Sequence, residues 1–106
     1  LSGADDVEPL SMKIPQIPGQ HRIYSNYPNP FNPISTLAIY LASPSNISYY
    51  VFDLQGRAIE HKDFPILNTG YHEFDININH VSSGVYFYKF TINEIDYIPH
   101  KMVLLK

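Results

Sequence analysis

The stretch Asn26–Pro33, Asn-Tyr-Pro-Asn-Pro-Phe-Asn-Pro, restricts the possible folds of this sequence more than any other. Proline fixes φ, removes a backbone donor and drives the residue before it toward extended conformations. Prolines at 28, 30 and 33 exclude the segment from a helix and from the middle of a sheet. It is expected as a rigid, extended edge, with Tyr27 and Phe31 as the aromatic anchors that pin it to a core.

The remainder is written in the pattern of strands. Runs rich in Tyr, Ile, Val, Phe and Thr, bounded by turn residues, predict strands over Ile23–Tyr27, Ser35–Leu41, Ile47–Leu54, Arg57–Lys62, Tyr71–Asn77, Gly84–Ile92 and Ile95–Leu105. No segment repeats apolar residues at helical spacing over three turns. About seven short strands predict an all-β fold, an antiparallel β-sandwich. In the second strand Leu37, Ile39 and Leu41 make the better core face, with Thr36, Ala38 and Tyr40 opposite. Ile47, Tyr49 and Val51 alternate with Ser48, Tyr50 and Phe52, so both faces carry apolar area, as in a strand inside a sheet. Asp53-Leu54-Gln55-Gly56 reads as a hairpin turn in which Gly56 supplies φ > 0. Asn93-Glu94 closes the last hairpin, with Asn93 as the left-handed residue. Pro99 makes the last strand an edge or a bulged one.

At 106 residues there is room for one core. Residues 1–22 hold Asp5, Asp6, Glu8 and three prolines without sustained periodicity. They read as an acidic linker, extended and accessible, that leads into a sandwich over 23–106. The sequence opens on Leu1, which suggests a piece from the C-terminal end of a longer protein. There is no cysteine, and therefore neither disulfide nor thiolate metal site. A net charge of −3 with scattered lysines and arginines argues against a nucleic-acid partner. No apolar run approaches the roughly 20 residues of a membrane-spanning helix, so no membrane insertion is expected.

Little in the sequence points to catalysis. It has no nucleophile elbow and no phosphate-binding glycine loop. Asp75-Ile76-Asn77-Ile78-Asn79 begins like a calcium loop, but His80 stands where glycine is needed and Tyr86 where the bidentate glutamate belongs. The run is better read as a strand leaving its sheet. His21, His61, His72, His80 and His100 lack metal-site spacing, so no metal, catalytic or cofactor residue is nominated. The nine tyrosines invite a sugar-stacking platform. Tyrosine is also a strong strand former with an apolar body. In Tyr86-Phe87-Tyr88 a strand covered on both faces accounts for the pattern without a ligand.

Read in order, the segments resemble the C-terminal sorting domain of the bacterial type IX secretion system, from about Tyr24 to Lys106. They are Asn26-Tyr27-Pro28-Asn29-Pro30-Phe31-Asn32-Pro33, Asp53 with Gly56 and Arg57, Gly70, then Ser83-Gly84-Val85-Tyr86, and the closing Lys101-Met102-Val103-Leu104-Leu105-Lys106. Phe52 stands where the family usually has tyrosine, and Lys89 where it usually has arginine. The resemblance implies an immunoglobulin-like fold and a non-catalytic address. The partners it implies are the translocon and shuttle proteins, a sortase-like surface peptidase and an upstream cargo domain. The implied destination is the cell surface or the medium after transit through the periplasm. A cut, where one occurs, would fall in the linker. The Pro-rich edge and the last strand are the expected recognition surfaces, as open edges able to pair with another protein. Tyr27, Phe31 and Gly84 are read first as holding the fold, and Lys101 and Lys106 as exposed. A structural immunoglobulin-like module of a secreted enzyme is the alternative, and a carbohydrate-binding module a more distant one.

Overall fold

A period of two decides which face each strand buries, and two sheets result. The computed structural model describes residues 20–106. Its strands are β1 (Arg22–Ile23), β2 (Ile34–Leu41), β3 (Ser45–Phe52), β4 (Ala58–Leu67), β5 (Gly70–Asn77), β6 (Gly84–Ile92), β7 (Ile95–Asp96) and β8 (His100–Leu104). One sheet runs β1-β2-β5 and the other β4-β3-β6, with β7 and β8 together along the far side of β6. All paired strands are antiparallel. The backbone passes from one sheet to the other between β2 and β3, again between β4 and β5, and again between β5 and β6. This is the connectivity of an immunoglobulin-like sandwich. The expected linker over 1–22 lies outside the described residues except for Gln20–Arg22.

The faces fall as the alternation requires. Leu37, Ile39 and Leu41 of β2 meet Ile47, Tyr49 and Val51 of β3, Tyr86, Tyr88, Phe90 and Ile92 of β6, and Met102 and Leu104 of β8. Burying each such residue stabilises the fold by about 1.5–3 kcal/mol before conformational entropy is counted. Four rings knit the sheets together. Phe74 of β5 packs on Phe64 of β4 at 4.6 Å, and on Tyr49 and Phe90 at 6.1 Å. The Tyr88 hydroxyl donates to the Tyr24 carbonyl at 3.0 Å, a buried hydrogen bond between the sheets. Burial also pushes that phenol up to about 12.

Several boundaries differ from expectation. The predicted last strand is two strands, β7 and β8. Its register against β6 slips by one residue between Tyr97 and His100, so Pro99 sits at a bulge, where no ladder donor is needed. Strand β4 runs to Leu67, past the expected end at Lys62, because Pro65 is tolerated on an edge strand beside the slip opposite Ser45 and Ile47. The Ile23–Tyr27 strand shortens to β1 plus a bridge from Tyr27 to Thr36. Phe87 is not covered by a second layer: it lies half-buried on the outer face beside Phe52. The hairpin at Asn93-Glu94 has both residues at positive φ, 50° and 67°, the two-residue form that suits strand twist. Asn93 fixes it by donating to Ser45 Oγ and accepting from the Asn46 N–H.

Tyr88→Phe removes the donor that Tyr88 supplies to the buried Tyr24 carbonyl. Denaturant unfolding should register a loss of about 1–2 kcal/mol with the far-UV spectrum unchanged. A second expectation concerns pH. His100 is half-buried, stacked 5.2 Å from Tyr88, and burial lowers its pKa below 6.5. The unfolded state therefore takes up this proton first as pH falls. The contribution of His100 is whole above pH 6.5, declines as pH drops through the folded value, and is level below it. His100→Gln should flatten that part of a stability–pH curve. The depressed carboxyls of Asp53, Asp63 and Asp96 act in a separate window below 3.8.

Candidate functional site

Apart from Gly70, the signature segments, scattered in sequence, converge on one end of the sandwich. Register places them there: Phe52 lies opposite Phe87, Gly84 opposite Leu104, and Ile34 opposite Asn77. The β3–β4 turn, the β5–β6 loop, the Pro-rich segment and the end of β8 thus share a pole. Lys106 ties it together, its backbone N–H donating to Ser83 Oγ at 3.0 Å and its ammonium to the Asn79 carbonyl at 2.7 Å. Gly70 is at the opposite pole, paired with Leu41, where His21 also accepts from the Ala42 N–H. The backbone enters the described fold at that opposite pole.

Phe31 and Asn29 seat the Pro-rich segment on the outer side of β8. The Phe31 N–H donates to the Val103 carbonyl and its own carbonyl accepts from the Leu105 N–H, each at 2.9 Å. Asn29 Oδ1 accepts from the Val103 N–H at 2.9 Å, and Nδ2 donates to the Lys101 carbonyl at 3.4 Å. The two segments expected as open edges therefore close on each other. The asparagine amide imitates a strand's donor and acceptor where neighbouring prolines offer no N–H. The peptide bonds before Pro28, Pro30 and Pro33 are cis.

Tyr27 is not a core anchor. Its side chain is 78% exposed, while Phe31 is 2% exposed. The alternation explains it: Tyr24 and Asn26 face inward, so Tyr27 faces out and is held by its backbone, which exchanges two hydrogen bonds with Thr36. Asn26 takes the interior place. Its Nδ2 donates to Ser35 Oγ at 3.0 Å and to the Pro28 carbonyl, while Oδ1 has no partner among the described residues. Ser35 Oγ also donates to the Pro28 carbonyl at 2.9 Å.

The second half of the pole is the Asp53–Arg57 turn. Asp53 Oδ1 accepts from the Gln55 and Arg57 backbone N–H groups, and Oδ2 from Arg57 Nε at 2.8 Å. The Arg57 N–H first, then its guanidinium and the Gln55 N–H, hold the Asp53 carboxyl below the usual carboxylate range. Gly56 sits at φ +83° with open space where a Cβ would point, so conformation alone selects glycine there. Between this turn and Val81-Ser82 lies a cleft of about 450 Å³, which Tyr86 also lines. The Tyr86 hydroxyl is spent on the Ser82 carbonyl at 2.6 Å.

The nominated residues thus divide. Asn26, Phe31, Tyr86, Met102 and Leu104 are buried. Tyr27, Pro28, Asn29, Pro30, Asn32, Gly56, Arg57, Ser83, Lys101 and Lys106 are exposed. Pro33, Asp53, Gly70, Gly84 and Val85 are intermediate. Tyr24, Tyr49, Tyr86 and Tyr88 are buried, so the sugar platform loses these four rings to the core. Asp75 and Asn77 lie in β5, and Ile76 and Ile78 between and beyond them are buried, as a strand leaving its sheet requires. Among the described residues, no three metal-capable groups meet. Sequence reasoning missed the Asn29 contact with β8 and the Asp53–Arg57 pair. The second had a signal in the Asp-x-x-Gly-Arg spacing; the first, spanning 74 residues from Asn29 to Val103, had none.

A family model described as the secretion system C-terminal sorting domain matches residues 25–105. No curated protein sequence matches this one. Among solved structures, dimeric latent PorU from Porphyromonas gingivalis is similar, with a TM-score of 0.70 at 17% identity. The similarity covers 80% of this chain and 9% of PorU, and shows a shared fold.

The contact between Asn29 and β8 has a direct test. Asn29→Ala should cost about 1 kcal/mol in unfolding experiments. It should also speed amide exchange at Val103 while leaving Leu105, which Phe31 still holds, less affected. Equal exchange at Val103 in both proteins would remove the role given to Asn29.

Proposed function

This chain belongs to the family of secretion system C-terminal sorting domains, and from that premise we propose that it addresses a larger protein to the type IX machinery, which carries it across the outer membrane. The family match over residues 25–105 carries the proposal. The convergence of the signature segments on one pole supports it, because a receptor that reads shape needs its determinants side by side. Such an address is non-catalytic. It works through a surface held in one form by the sandwich beneath it.

The partners in this reading are the shuttle and translocon proteins, and then a sortase-like surface peptidase. Removal of the domain and anchoring of the cargo belong to the same proposal, with residues 1–22 as the place of the cut. Proline and acidic residues there suit an extended, accessible segment. The destination is the surface or the medium, by way of the periplasm. With the expected open edges closed on each other, recognition falls to the side groups of the pole: Tyr27, Asn32, Arg57, Lys101 and Lys106.

The test is a fluorescent reporter with a periplasmic export signal, fused ahead of residues 1–106. It is expressed in a type IX-competent bacterium and in the same strain without its translocon. The expected result is surface or medium signal in the first and periplasmic trapping in the second. Periplasmic signal in both, with the domain folded, would leave a structural immunoglobulin-like module in place of an address.

A further inference from the structure

The cleft beside Arg57 joins two signature segments, the Asp53–Arg57 turn and the loop before β6, and the ion pair with Asp53 uses only the Nε of the arginine at its mouth. The Arg57 side chain is 75% exposed, so it contributes nothing to the core. Its guanidinium is nonetheless aimed. Asp53, whose side chain is 14% exposed, takes the Nε hydrogen at 2.8 Å and is itself held by the Gln55 and Arg57 backbone N–H groups. Both Asp53 oxygens are occupied in this way. No described residue accepts from the two Nη groups. An oriented pair of Nη donors is the geometry that grips a planar anion with two parallel hydrogen bonds.

We propose that this cleft is a binding subsite for a peptide carboxylate of a protein partner, gripped through the Nη pair of Arg57. This deepens, and rests on, the reading of the pole as the presented face of a sorting signal. Charge selects carboxylate over phosphate. Asp53 and Arg57 together are neutral, so the pair itself offers a fork of donors without a surplus positive charge. A monoanion of planar shape suits the two Nη donors, whereas the second charge of a dianion finds no further cation in the Asp53–Arg57 pair. The walls agree with a peptide. Ala58, Ile59 and Val81 give apolar surface beside the guanidinium, and the Tyr86 hydroxyl is already committed to Ser82. The volume of about 450 Å³ holds one or two residues and not a long segment. Two sources share this chemistry, an acidic residue and a peptide C-terminus, and separate probes distinguish them.

The experiment is a titration of the purified 106-residue protein, followed by amide chemical shifts. The probes are N-acetyl-glutamate α-amide for an acidic residue, N-acetyl-leucine for a C-terminus, and inorganic phosphate. The expected result is saturable shifts confined to Gln55–Ala58 and Val81–Ser82 with at least one carboxylate probe, the tighter probe naming the source. Arg57→Gln should weaken that binding by about tenfold or more, the loss of a charge-assisted bidentate contact. Arg57→Lys should weaken it too, because an ammonium cannot fork. Unchanged thermal unfolding in both variants shows that the fold is intact, as the exposure of Arg57 leads one to expect. Binding unaffected by either substitution, no saturable shift with either carboxylate, or phosphate binding at least as tightly overturns the proposal. The titration needs no secretion machinery. A subsite that binds in a protein that is not exported would overturn the address and not the subsite; export without carboxylate binding would do the reverse.

Discussion

Phe31 does two things at once, and the C-terminal pole depends on both. Its ring fills the core at 2% exposure, and its backbone pairs in parallel with β8 through Val103 and Leu105. A proline-flanked residue has few backbone partners to offer, so the N–H and carbonyl of Phe31 are the ones that close the sheet. Once they are fixed, Asn29 reaches Val103, Pro33 is brought to accept from the Ile78 N–H, and β8 holds Leu104 against Gly84. The same closure removes an exposed row of strand donors and acceptors that would otherwise invite pairing with another protein.

The remaining long edge of that sheet is managed by other means. Strand β4 carries Pro65, and Glu60 and Lys62 lie opposite Val51 and Tyr49, on the side that elsewhere faces the core. Charges turned inward on an edge strand oppose the addition of a further strand, which would bury them. One edge is therefore closed by pairing and the other by charge and proline. What these two edges leave for solvent is side groups more than free backbone.

Local alternation made most of this legible from sequence. The core face of β2, the place of β3 inside its sheet, the glycine turn at Gly56, the left-handed Asn93 and the bulge at Pro99 all rest on short-range rules, and each stands in the structure. Tyr27 failed because its aromatic character outweighed its place in the alternation, which gave the interior to Asn26. The end of β4 failed for a different reason: whether Pro65 can be housed depends on the strand being at an edge, which no local pattern declares. The site was harder to see than the fold. Its residues meet through pairings between the Pro-rich segment and the last strand, and nothing local in either announces the other. The family resemblance singled out the segments, and the register of the strands made most of them neighbours.

Entry and signature lie at opposite ends of the sandwich. The strands between them, nine residues long in β6, set the distance at about 30 Å. Whatever precedes Gln20 joins at the end where His21 meets Ala42, far from Arg57 and Lys106. In the proposed reading the domain would act as a spacer as well as a label. A passenger of any bulk or surface chemistry would then be held away from the pole, and the same tail would serve unrelated passengers without being refitted to each.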